Sequence, residues 1–152
     1  MIRVVSELYE KYIRGTEKQA VVQNLLVLVC SMTNSVYTGA GITCKRIYIS
    51  TRVVKHVYDK RPAEEFDFLV ENLHQILKYP DRVFKNKDAK KGDFCFVKKI
   101  HNSLYLASVE VMKDLAGEHT HCEVITFFRV QKESYLNGYE LLWEWKVGEP
   151  SS

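Results

Sequence analysis

Apolar positions recur at helical spacing through the first half of the chain and at every second position through the last third. Val5, Leu8, Tyr9, Tyr12 and Ile13 fall on one face of a helix predicted over residues 2–13. Gly15 stops it. Val21, Val22, Leu25, Leu28 and Val29 predict a second helix over 17–31, with the β-branched content leaving a buried strand as the other reading. Thr33, Asn34, Ser35, Gly39 and Gly41 mark 33–43 as a loop. Residues 45–50 read as a short extended segment. Ser50 or Thr51 then caps a helix running to about Asp59, and Pro62 breaks it. A clearer helix covers 63–78, with Phe66, Leu69, Val70, Leu73, Ile76 and Leu77 on one face. Glu64, Glu65 and Asp67 suit its positive end, and Tyr79-Pro80 stops it.

From residue 93 the period is two. Strands are predicted over 93–100, 104–112, 122–130 and 139–147, with a tight turn at His101-Asn102-Ser103 and with Leu141, Trp143 and Trp145 on one face of the last. Consecutive strands with short connections pair antiparallel. Helices followed by strands predict an α+β domain in which N-terminal helices pack on a four-stranded antiparallel sheet. Residues 1–44 read as a helical extension packed on a core at 45–147, and 148–152 as a frayed tail.

Composition narrows the class. The 152 residues are one domain's worth, and 46% hydrophobic against 27% charged excludes a disordered chain. A chain this long buries roughly two-thirds of its unfolded surface, so no metal or disulfide staple is required. The longest apolar run, Leu25 to Cys30, is far short of the ~20 residues that cross a bilayer. The start shows no signal-peptide pattern. A soluble, cytoplasmic protein is expected. The four cysteines (Cys30, Cys44, Cys95 and Cys122) form no C-x-x-C pair, and Cys30 and Cys95 read as small core residues.

The net charge of +3 conceals a segregation. Residues 45–61 carry +5, residues 78–99 carry +5, and the remainder carries −7. If the two basic segments meet in space they form an anion-binding surface; if not, they are solvated lysine-rich stretches. Glycine-rich phosphate loops, the G-x-S-x-G elbow and H-E-x-x-H are absent. His119-Thr120-His121-Cys122 is the only metal-like cluster. Cys122 would face away from the two histidines, so an exposed loop between strands is the reading taken, and no metal is expected.

His56 carries more chemistry. Arg52 and Lys60 stand at i−4 and i+4, so one helix face presents Arg52, His56 and Lys60. Nearby positive charge lowers a histidine pKa and keeps a neutral base available. An ordinary exposed helix histidine is the other reading. Ser108 and Glu110 share one strand face. In the next strand Thr126 and Phe128 face one way and Phe127 and Arg129 the other. Arg61, Lys87, Thr126, Arg129 and Ser134 are all groups able to hold a phosphate.

These residues occur in a recognisable order. From about residue 47 to residue 143 the chain resembles the phage and mobile-element branch of the barnase–EndoU–colicin–RelE-like (BECR) ribonucleases. The resemblance is carried by ISTRVVKHVYDKRP, LHQILKYPDRVFKNK, KKGDFCFVKKI, a central VEV, ITFFR and SYLNGYELLW. It implies RNA cleavage without a metal or other cofactor, by attack of the 2′-hydroxyl on the adjacent phosphate. On that resemblance His56 is the acid–base group, with Glu110 in reserve as base. Arg61, Lys87 and Arg129 are cations at the phosphate. Thr126 and Ser134 position it, and Tyr135 stacks on a base or donates a proton. Arg52, Lys60, Lys85, Lys90 and Lys91 would bind the RNA, tRNA among the candidates. The family further implies a toxin of a toxin–antitoxin or phage-conflict system, with an antitoxin or immunity protein as partner and no membrane. A non-catalytic RNA-binding or protein-interaction domain on the same fold is the alternative.

Overall fold

The structure, a computed structural model, describes residues 4–146. In chain order these form α1 (Val4–Tyr12), β1 (Leu26–Ser31), α2 (Asn34–Gly39), β2 (Arg46–Ser50), α3 (Thr51–Lys60), α4 (Ala63–Lys78), β3 (Arg82–Lys85), β4 (Phe94–Ile100), β5 (Ser103–Lys113), β6 (His119–Val130) and β7 (Glu140–Glu144). Two short 3-10 turns, Ala89–Lys91 and Glu133–Leu136, sit in the connections. The seven strands make one sheet in the order β1-β2-β6-β5-β4-β3-β7. Every pairing is antiparallel except β2 with β6, which is parallel.

Helices α1, α3 and α4 cover one face. Val5, Leu8, Val54, Val57, Phe66, Leu69 and Leu73 meet Ile47, Ile49, Phe96, Val124 and Phe127 in the main hydrophobic core. The other face is covered over β3, β4, β5 and the end of β6, where Leu136 of the second 3-10 turn joins Phe84, Cys95, Val97, Leu106 and Val130. Full burial of each such side chain contributes about 1.5–3 kcal/mol.

The α+β class stands, and the expectation of four antiparallel strands is corrected to seven in a mixed sheet. The four foreseen strands are β4, β5, β6 and β7, but only the first three pair in sequence. β7 instead lies beside β3 at the far edge. A register shift between Val83 and Phe84 interrupts its alternation, so Leu142 and Trp143 both pack on the core while Leu141 stays exposed. β3 was not foreseen. It is four residues long, within the basic stretch, and too short for a period to show.

The helix expected over 17–31 is replaced by an extended approach and strand β1. Its helical spacing includes Val21, which is wholly exposed. Thr51 holds the approach extended: its hydroxyl donates to the Gln23 carbonyl at 2.5 Å and accepts from the Leu25 amide at 2.8 Å. β1 then pairs with β2, burying Val29 and Cys30. The loop expected over 33–43 holds the short helix α2, capped by the Thr33 hydroxyl, which accepts from the Val36 amide at 3.2 Å. His119-Thr120-His121-Cys122 is the start of β6 and not a loop. The tail at 148–152 lies outside the described residues.

Cys30, Cys95 and Cys122 are buried, and burial pushes each thiol up to about 12, so these are inert core groups. Among the described residues no helix is long and apolar enough to cross a membrane.

Candidate active site

The parallel pairing of β2 with β6 sets the site. It involves only Ile47 with Cys122 and Tyr48 with Glu123. β2 then passes straight into α3, so β6 runs on beyond its neighbour and α3 takes the vacated place at its side. The turn into α3 is fixed by Ser50, whose hydroxyl accepts from the Val53 amide at 3.2 Å. Val54 and Val57 face the core. Lys55 is buried behind them, donating to the Glu17 carbonyl at 2.6 Å and to Asp59 at 2.7 Å. These contacts fix the rotation of the helix, and the opposite face presents Arg52, His56 and Lys60 to solvent.

Three further elements close on this face. The half of β6 past the pairing carries Thr126, Phe128 and Arg129, after a bulge in which Ile125 is extra between the pairs Val109–Val124 and Ser108–Thr126. The second 3-10 turn brings Ser134 and Tyr135. The first brings Lys90 and Lys91, and it is anchored to the sheet. Asp88 accepts from the Lys90 amide at 3.0 Å, the buried Ser108 hydroxyl donates to the Lys91 carbonyl, and Asn86 donates to the same carbonyl at 3.1 Å. Gly92 follows at φ 106°, in the left-handed half of backbone space, so close to β5 that a Cβ there would lie 3.2 Å from the Val109 carbonyl oxygen.

The result is an open cleft of about 790 Å³. His56, Arg61, Thr126, Arg129, Ser134 and Tyr135 line it together, with Lys60, Lys90 and Lys91. Gln131 and Lys132, which the sequence reading did not single out, line it too. The lining holds six cations (Lys60, Arg61, Lys90, Lys91, Arg129 and Lys132) and no carboxylate, so its field favours a polyanion. The two basic segments do meet here, through Lys60 and Arg61 from one and Lys90 and Lys91 from the other.

The His56 pKa is lowered, first by the loss of hydration on the cleft side of its exposed ring and then by Lys60 and Arg61, with Asp59 opposing. The sequence pointed to the charges; the lost hydration is the larger cause. Arg61 lies with its guanidinium carbon 5.2 Å over the Phe128 ring. Its Nε is 3.9 Å from Glu65, and both of those atoms are buried without a hydrogen-bond partner. The ring and the Glu65 charge together hold the guanidinium.

Four candidates lie elsewhere. Lys87 donates to the Asn137 carbonyl at 2.8 Å and sits over the Tyr139 ring, outside the cleft lining. Lys85 and Arg52 are exposed and do not line it either. Glu110 pairs across the sheet with Glu123 and does not line the cleft; burial, then Asp93 and Glu123, raises its pKa. Both β6 histidines already have partners, His119 with the Thr43 hydroxyl at 2.6 Å and His121 with Glu123 at 2.8 Å. Among the described residues no group of three His, Cys, Asp or Glu side chains is placed to hold a metal ion.

The model of the phage barnase–EndoU–colicin E5/D–RelE-like nuclease 3 family matches residues 31–133, roughly two-thirds of the chain. The chain belongs to this family of BECR-like nucleases. Neither the curated proteins nor the solved structures compared with it give a match. The BECR-like match spans α2, β2 to β6 and the first of the two 3-10 turns, taking in His56, Arg61, Thr126 and Arg129. Ser134 and Tyr135 lie just past its end. For a BECR-like nuclease the substrate class is nucleic acid, in keeping with a cleft lined by cations.

Proposed function

We propose that this protein is an endoribonuclease that cleaves RNA without a metal ion, and that its active site is the His56 cleft. Neutral His56 takes the proton of the 2′-hydroxyl as that oxygen attacks the adjacent phosphorus. The bond from phosphorus to the 5′ oxygen breaks, and that oxygen takes up a proton from water. The products are a 2′,3′-cyclic phosphate and a free 5′-hydroxyl. Charge building on the phosphorane oxygens is met by Arg61 and Arg129, with Thr126 and Ser134 donating hydrogen bonds. Lys60, Lys90 and Lys91 bind the flanking phosphates.

The observation that carries this reading is the convergence itself. An imidazole held neutral at neutral pH, two guanidiniums and two hydroxyls line one cleft, although they are drawn from segments about eighty residues apart. We further propose a toxin role in a phage-conflict or toxin–antitoxin setting, with a protein antitoxin or immunity partner. The resemblance to phage-associated nucleases supports it.

Incubation with total RNA and with tRNA, followed by mapping of the ends, tests the chemistry. Fragments ending in a 2′,3′-cyclic phosphate are expected. Ends bearing a 3′-hydroxyl and a 5′-phosphate, or intact RNA bound in a salt-sensitive complex, would overturn it.

A further inference from the structure

Away from the His56 cleft lies a second cavity, of about 200 Å³. It opens where α2 meets β7, with the end of α4 and the approach to β3 as its other wall. None of its lining residues lines the cleft. The chain has two tryptophans, Trp143 and Trp145, and both line this cavity together with Tyr79. Both also lie beyond residue 133, outside the segment that the family model matches. Trp143 is fastened in place. Its indole N–H donates to the Ser35 hydroxyl at 3.1 Å, and its ring packs on the main core and fills the space a Cβ on Gly39 would need. Trp145 and Tyr79 are each 41% exposed, so two more large apolar surfaces face the open side. Asp81 makes the base of the cavity rigid. Its amide donates to the Val97 carbonyl at 2.8 Å, its carbonyl accepts from the Trp145 amide at 2.9 Å, and its carboxylate accepts from the Lys99 amide at 2.7 Å.

The polar side chains here are mostly donors. Half-buried Lys78 donates to the Ser31 carbonyl at 2.8 Å. Half-buried Lys98 donates to the Tyr79 carbonyl at 2.7 Å and stands 3.7 Å from the Asp81 carboxylate. An ammonium group has three N–H bonds, so each lysine keeps at least one for a ligand. The Ser35 and Thr33 hydroxyls each accept a bond, from Trp143 and from the Val36 amide, and neither hydroxyl proton has an acceptor among the described residues. Asp81 is the one carboxylate in the lining. Two ammonium groups against one carboxylate favour a ligand with a single negative charge over a cation. Volume sets the size. A closed cavity of about 150 Å³ takes one benzene ring. Drug-sized ligands fill about 300 Å³ or more. One ring with a small head group fits, and a nucleotide does not.

We propose that this cavity is a binding site for a small aromatic carboxylate, one ring bearing one acid group. The ring lies among Tyr79, Trp143 and Trp145. The carboxylate takes the free donors of Lys78, Lys98 and Ser35. The site shares nothing with the proposed catalytic cleft, so it stands or falls independently of the ribonuclease reading.

Because the chain has no other tryptophan, the intrinsic tryptophan fluorescence of the unmodified protein reports on this cavity alone. Titration with benzoate is expected to give a saturating change with a Kd at or below about 1 mM, in scale with its roughly nine non-hydrogen atoms. Benzyl alcohol, the same ring without the charge, should bind at least about fivefold more weakly, and benzylamine more weakly still. Acetate at the same ionic strength should give no saturating change. Lys78→Met and Lys98→Met should each cost benzoate about fivefold and leave benzyl alcohol within about twofold, a selective loss that a general loosening of the fold does not produce. Trp145→Ala should weaken both ligands alike, read from Trp143. An absence of saturation up to about 20 mM benzoate would overturn the site. So would benzylamine bound as tightly as benzoate, or an unchanged ratio of benzoate to benzyl alcohol in both lysine variants. A tripeptide ending in phenylalanine that bound more than about tenfold more tightly than benzoate would overturn the small acid by giving the cavity to a protein C-terminus. Should a lysine variant fail to fold, the four ligands on the parent protein still decide the charge preference.

Discussion

His56 is held neutral by where it stands. Lost hydration and two adjacent cations disfavour the imidazolium, so the base form persists to lower pH than in an ordinary histidine. Two outcomes follow. His56→Ala is expected to cut kcat by at least about a hundredfold while leaving the melting temperature unchanged, because a general base contributes 10²- to 10⁴-fold and the side chain faces solvent. Rates and thermal melts of the purified variant check this. Lys60→Gln removes the larger of the two charge contributions, so the His56 pKa rises toward its ordinary value. The acid limb of the kcat/KM–pH profile then moves up in pH; a limb that stays in place would show that another group titrates. The i−4, i+4 pattern around His56 made this residue visible in the sequence. Gln131 and Lys132 carried no such pattern. They enter the cleft only because the chain turns sharply after β6.

Elements, more than single residues, decide which of the candidate groups meet. α3 is legible as a helix from its Ser50 or Thr51 cap and the Pro62 break, and the later half of β6 as a strand from its period of two. Their adjacency is not, because it comes from the parallel β2–β6 pairing, and two residue pairs leave no mark in a hydropathy pattern. The expected helix over 17–31 failed for a related reason. Val21 fits a helical stripe by spacing, but the tertiary hydrogen bonds of Thr51 outweigh it and draw the segment out into a strand. The turn carrying Lys90 and Lys91 shows how an element depends on one backbone position. Gly92→Ala would put a methyl group against the Val109 carbonyl at φ 106°. The expected cost is about 1–3 kcal/mol, read from urea unfolding, together with weaker RNA binding as the two lysines shift. Ser50→Ala removes the cap of α3 and is expected to cost about 1 kcal/mol by the same measurement.

At the scale of the molecule, charge is sorted. The six cleft cations are what a +3 chain can assemble when its acidic residues lie elsewhere. Binding of single-stranded RNA should therefore fall with salt, with a log–log slope of about −3 to −4 if four to six of them reach phosphates. Titration of affinity between 50 and 300 mM salt, about a Debye length of 14 to 6 Å, measures it. Cleavage is expected to survive excess EDTA, and its loss would count against the proposed mechanism. Mild acid should also weaken the fold. Loss of hydration, then a neighbouring lysine, lowers the pKa of both His56 and His74 below the unfolded value. The unfolded chain thus takes up protons first. Stability is full above about pH 6.5 and declines as pH falls toward the two lower folded values, which urea midpoints at successive pH values would show.

The bulge in β6 is costly in one sense and free in another. Val124 opposite Val109 and Thr126 opposite Ser108 are consecutive pairs, so the strand would remain fully paired without Ile125. Cys122, Val124 and Phe127 would still face the core, and Phe128 and Val130 the second cluster. What Ile125 supplies is curvature, at the point where the strand leaves β2 and enters the cleft. A chain lacking that single residue should therefore keep its fold yet hold Thr126 and Arg129 at a different angle to His56, which separates the shape of the cleft from the stability of the sheet.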